Sequence, residues 1–124
     1  MKIPYSATRL TTWACFLGLA VASWTPGDEM IRTGFDPRLE HMLGYTITGI
    51  VGLVAYPRKT LWSIAVLLSG YAGVLELGQR YIPGRHAQLL DWLASSGGVA
   101  CACVTGAVFL RRRASSERCT TPEG

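Results

Sequence analysis

An all-α bundle of four transmembrane helices is the fold class this sequence predicts, on three observations. Hydrophobic residues fill 49% of the 124 positions and charged residues only 16%, too few to solvate the outer faces of a soluble helical domain. The charges fall in short blocks between apolar runs of near-bilayer length, at about residues 10–24, 39–56, 60–78 and 89–110. Lys and Arg gather beside the ends of those runs, where a membrane protein uses them to set its orientation. The mean hydropathy of +0.25 is modest for the class, because the loops and tails are polar and 14 residues are Gly.

The first run, about Leu10 to Trp24, follows Lys2 and Arg9 and carries Trp13 and Trp24 near its ends, where indoles suit the membrane interface. It is short for a span. Ala20-Val21-Ala22 followed by Ser23 has the form of a signal-peptidase site, so a cleaved signal peptide is the alternative. Either way the chain from Thr25 onward is delivered to the far side. TPGDEMIRTGFDPR, residues 25–38, reads as a loop, punctuated by Pro26 and Pro37. The second run, Leu39 to Tyr56, opens on Glu40 and His41, and Pro57-Arg58-Lys59 makes a tight basic turn. The third, Thr60 to Gly78, has Trp62 at its start and Glu76 near its finish; RYIPGRH then reverses the chain. The fourth, Leu89 to Leu110, stops at Arg111-Arg112-Arg113. Residues 1–110 thus form one membrane domain, and 111–124 read as a basic, disordered tail.

With four spans, both tails and the Pro57 turn share one side. That side holds Lys2, Arg9, Arg58, Lys59, Arg111, Arg112, Arg113 and Arg118, eight of the twelve basic residues. The bias puts both termini in the cytoplasm. The net charge of +4 is accounted for by this topology rather than by nucleic acid, since the basic residues do not alternate with aromatics along a face. Cys15, Cys101 and Cys103 lie in apolar runs and Cys119 in the tail, and Cys101-x-Cys103 has the wrong spacing for zinc. No metal or cofactor motif is present.

Small residues indicate how the helices meet. Ala94, Gly98, Ala102 and Gly106 recur every four residues in the fourth run, Ser69 and Gly73 in the third, and Gly44, Thr48 and Gly52 in the second. Such stripes let membrane helices approach closely.

Polarity concentrates in ELGQRYIPGRHAQLLDWLASSGG, residues 76–98. The alternating topology brings His41, Glu76 and Asp91 to the same extracytoplasmic level. Glu76 and Gln79, three apart, share a helix face, as do Asp91 and Ser95, four apart. Asp91 suits a helix N-terminus. Glu76 at a helix C-terminus needs a cation, for which Arg80 and Arg85 are near in sequence. A structural reading makes Glu76, Arg85 and Asp91 a latch across the turn. A functional reading makes His41, Glu76, Gln79, Arg85, Asp91 and Ser95 a polar site open to the outside. His86 and Gln88 read as loop solvation.

These residues carry a resemblance. EHMLGY (Glu40 to Tyr45) followed by ELGQRYIPGRHAQLLDWLASSGG resembles the VanZ-like family of small membrane proteins. The matching positions are His41 with Tyr45 four residues on, then Glu76, Gln79, Pro83-Gly84-Arg85, Asp91 and Gly97-Gly98. TPGDEMIRTG is similar to the loop preceding the His, so the likeness covers roughly residues 10–110. One position departs: many relatives carry Asn four residues after the Asp, where this chain has Ser95, and a hydroxyl cannot act as donor and acceptor with amide geometry. The resemblance implies a multi-pass protein of the bacterial inner membrane, in the cell envelope. The founding member is associated with resistance to teicoplanin.

The expected function is a site for an anionic lipid or glycopeptide-like ligand. Arg85 would hold the anion, Asp91 would position Arg85 or a ligand amine, and Glu76 with Gln79 would complete the hydrogen bonding. The alternatives are a membrane enzyme acting on lipid-linked envelope substrates, with Glu76 or His41 as acid or base, and a proton-coupled transporter subunit, which four helices could build only as a homo-oligomer.

Overall fold

A computed structural model of the chain describes residues 5–26, 28–29, 34–56 and 61–119. It is all-helical. The four α-helices are α1 (Tyr5–Trp24), α2 (Pro37–Ala55), α3 (Leu61–Gly78) and α4 (Leu89–Cys119), with a 3-10 turn over Gln79–Tyr81 prolonging α3. No strand occurs among the described residues. The Pro57-Arg58-Lys59 turn and Lys2 lie outside them.

Three helix ends differ by two residues or more from the expected runs: α1 begins at Tyr5 rather than near Leu10, and the start of α2 and the end of α4 differ for physical reasons. Helix α2 begins at Pro37 because the Asp36 side chain accepts the Arg38 N–H at 2.8 Å, and Pro at the first helical position gives up an N–H that would be unsatisfied anyway. Helix α4 does not end at the arginine cluster but continues to Cys119, so the expected disordered tail starts as helix. Arg111 to Arg113 mark where polarity changes. Arg is a good helix former, and the backbone bonds continue through it.

The helices alternate in direction. Arg9 near the start of α1 lies over the Tyr56 ring at the end of α2, and Cys103 of α4 reaches the Leu61 carbonyl at the start of α3. At the opposite end, Arg38 and Asp91 join the first turns of α2 and α4. Helices α2 and α4 form the largest interface, and small residues make it close. A Cβ added at Gly98 would stand 2.9 Å from the Met42 carbonyl carbon, and one at Gly49 would stand 2.6 Å from the Ala102 Cβ. Thr46 Oγ1 donates to the Met42 carbonyl of its own helix at 2.7 Å and lies 3.1 Å from the Gly98 carbonyl across the same contact, so its one proton is shared between them.

The stripe on α4 thus faces α2, as Gly98, Ala102 and Gly106 pack on Met42, Gly49 and Leu53. The stripe on α2 turns elsewhere: Gly44 and Gly52 approach Leu19 and Thr12 of α1. On α3, Gly73 makes room for the Trp92 indole, whose Nε1–H donates to the Ser69 carbonyl at 3.0 Å.

The buried core is thin: Tyr45, Ile64, Leu68, Ala72 and Val99. The large apolar side chains point outward instead. Leu10, Trp13, Leu17 and Val21 line an exposed face of α1, and Leu39, Leu43, Ile47 and Val54 one of α2. Both sets recur at helical spacing, so α1 and α2 each present a continuous apolar face to the outside. Helices α3 and α4 each contain a stretch long and apolar enough to cross a membrane.

Candidate functional site

The polar residues collect at the end of the bundle where α1 and α3 finish and α2 and α4 begin. Each is placed by a helix terminus. The chain leaves α3 through the 3-10 turn and reverses at Ile82-Pro83-Gly84-Arg85, where the Arg85 N–H donates to the Ile82 carbonyl at 3.2 Å. Gly84 has φ of 73°, the left-handed value that the third position of such a turn demands and that Pro before it permits.

This turn aims Arg85 away from both carboxylates. Its Nη2 donates to the Ala22 carbonyl at 2.6 Å and its Nε to the Thr25 carbonyl at 3.0 Å. These acceptors belong to the last turn of α1 and its exit, where carbonyls lack helical partners and the dipole favours a cation. The latch expected between Glu76 and Arg85 therefore does not form.

Glu76, 8% exposed, finds its partner in backbone. Its Oε1 accepts the Gln88 N–H at 2.6 Å, immediately before α4 begins. The positive end of α4 supplies what a cation would have supplied. Gln88, read from sequence as loop solvation, matters through its amide. Asp91 in the first turn of α4 pairs with Arg38 of α2, with Oδ1 3.5 Å from Nε. Arg38 was not among the expected site residues. Its signal was available: it follows the capping pair Asp36-Pro37, hence stands in a first helical turn level with Asp91.

Ser95 is buried, and its hydroxyl donates to the Asp91 carbonyl one turn back at 2.9 Å. Among the described residues, His41 forms no hydrogen bond or ion pair with Glu76, Gln79, Arg85, Asp91 or Ser95, and it is half-buried on α2. Tyr45, one turn further into the bundle, is 1% exposed and lies within electrostatic range of Glu76.

Gln79 stands apart from this accounting. It is 2% exposed, and its Nε2 finds no acceptor among the described residues. A buried donor without a partner costs roughly 1–3 kcal/mol. The six predicted residues thus divide. Arg85, Asp91 and Ser95 are engaged with helix ends or their own helix, His41 stands aside, and Glu76 and Gln79 with nearby Tyr45 form a buried polar pair. Its carboxylate has one oxygen committed, and its amide has donor capacity to offer. Among the described residues no group of three His, Cys, Asp or Glu side chains could hold a metal ion.

Neither protein-family models, nor curated proteins, nor solved structures give a match to this chain.

Proposed function

We propose that the chain is a multi-pass protein of the bacterial envelope membrane, with four spans and both termini cytoplasmic. Its extracytoplasmic margin would bind the polar head of a lipid or glycopeptide-like ligand between α3 and α4. The outward-facing large apolar residues support the membrane setting, because a soluble bundle would hide them. The one observation that carries the binding reading is the buried Gln79 amide, without an acceptor among the described residues, beside buried Glu76. Natural proteins retain such a cost where function needs the group.

The chemistry of the pair defines the ligand. Gln79 Nε2 asks for an acceptor such as a phosphate or carbonyl oxygen, and Glu76 asks for an ammonium or hydroxyl donor. A zwitterionic head such as phosphoethanolamine carries both. Arg85 is occupied at α1, so the anion contact falls to Gln79 rather than to the guanidinium. The VanZ-like resemblance adds the envelope context, and glycopeptide sensitivity of cells carrying the chain is the corresponding phenotype.

The test compares wild type with Gln79→Leu and Glu76→Gln in detergent, with and without phosphatidylethanolamine. Gln79→Leu removes the unsatisfied donor, so the ligand-free protein should gain on the order of 1–3 kcal/mol. It should also lose the stabilisation that the lipid gives to wild type. A wild type indifferent to the lipid, or a Gln79→Leu protein stabilised by it equally, would end this reading.

A further inference from the structure

A second feature lies at the opposite end of the bundle. A groove of about 620 Å³ lies there between helices α1, α2 and α3. Trp13, Phe16, Ile64, Leu67 and Leu68 line it, and Tyr56 stands at its mouth. The hydroxyls on its wall do not make it polar. Thr12 and Thr48 donate to the Thr8 and Gly44 carbonyls of their own helices, and Tyr71 donates to the Phe16 carbonyl at 2.7 Å. Tyr71 and Phe16, with ring centroids 4.8 Å apart, close the inner end.

From Ser63 to Tyr71 the groove follows two turns of α3, about 12 Å at helical rise. That is most of the ~15 Å of hydrocarbon in one leaflet. Charge distinguishes its mouth. The Arg9 guanidinium lies 5.4 Å from the Tyr56 ring centroid, and Arg9 pairs with no carboxylate among the described residues. Arg9, Thr12 and Trp13 share one face of α1, so the cation and the groove wall are continuous. Among the described residues this end of the bundle holds five basic residues and one acidic one, Glu117, whereas the other end holds three basic and six acidic.

We infer that this groove seats one acyl chain of an anionic phospholipid, with Arg9, held against Tyr56, meeting its phosphate from the cytoplasmic leaflet. An apolar slot of leaflet depth matches a chain, and a cation stacked on an aromatic ring at the slot's mouth matches a headgroup phosphate. The inference rests on the membrane reading proposed above. It concerns a different site, at the other face of the bilayer, from that of Glu76 and Gln79.

Native mass spectrometry of the full chain, released from detergent with phosphatidylglycerol or phosphatidylcholine of identical acyl chains, tests it. One phosphatidylglycerol should be retained per protein, about fivefold more strongly than phosphatidylcholine, which is what one cation contributes against an anionic headgroup. Arg9→Gln should abolish the headgroup preference while leaving both lipids bound. Leu67→Trp, at a position already exposed, should block the groove and lose both. No retained lipid in wild type, an unchanged preference in Arg9→Gln, or a second copy of the chain occupying the groove in place of lipid would overturn the inference. Alkaline carbonate extraction separates its failure from that of the membrane reading. A chain that washes off membranes sinks both, whereas one that stays but retains no lipid sinks only this site.

Discussion

Gly98 is the position where one methyl group should matter most. A Cβ there would meet backbone, 2.9 Å from the Met42 carbonyl carbon and 3.1 Å from its Cα, so no rotamer change can relieve it. Helices α2 and α4 would have to part by roughly 1 Å, enough to forfeit a quarter to a half of the dispersion attraction at each neighbouring contact. The Thr46 hydroxyl would keep its 2.7 Å bond to the Met42 carbonyl and lose the weaker interhelical contact, now 3.1 Å, to the Gly98 carbonyl. Overpacking of this kind costs about 1–3 kcal/mol, and an interhelical hydrogen bond in a membrane adds about 0.6. Ala returns up to ~1 kcal/mol as a better helix former than Gly. Gly98→Ala should therefore destabilise by on the order of 1–3 kcal/mol, the balance of those terms. Gly97 is the internal control, since an added Cβ there has nothing within 4 Å. Gly97→Ala should be neutral or slightly stabilising. Unfolding by SDS titration from mixed micelles, followed by far-UV circular dichroism, measures both. Equal midpoints for the two variants would refute the close approach of α2 and α4.

Other expectations follow from the same contacts. Gly49→Ala should cost about 1–3 kcal/mol by collision with Ala102, and adding Ala102→Gly should restore most of it, as a double-mutant cycle would show. Arg85→Gln should free the Ala22 and Thr25 carbonyls, with faster hydrogen exchange at the end of α1 and a loss of about 1 kcal/mol. The Arg38–Asp91 pair, half-exposed on its Arg38 side, should show a coupling of less than about 1 kcal/mol that shrinks with added salt. A larger, salt-insensitive coupling would mean that the pair is desolvated.

Much of the architecture was legible before any coordinates. The expected starts and stops of the second, third and fourth runs fall within two residues of observed helix ends, except where α4 continues past Leu110. That overrun is instructive. Composition reports where apolar character stops, and a helix made of Arg and Ala continues regardless. The stripe of Gly98, Ala102 and Gly106 could be read as an interface because a four-residue repeat of small side chains has few other uses in an apolar helix. Its partner could not be read. Gly49 lies off the expected α2 stripe yet meets Ala102, because α2 packs on α4 as well as on α1 and needs small residues on both faces.

The sequence by itself determined the helix count, the alternation of direction and the level at which Glu76, Asp91 and His41 lie, because hydrophobic periodicity and chain connectivity allow little else. Which charge meets which was decided only by the tertiary structure. Glu76 and Arg85 are nine residues apart and opposite in sign, yet the carboxylate goes to the Gln88 amide before α4 and the guanidinium to the carbonyls ending α1. Helix termini carry partial charges as real as side-chain ones, but their positions in space exist only once the helices have packed. The same packing leaves the Gln79 amide buried without an acceptor among the described residues, a property of the assembled bundle that no spacing of residues announces.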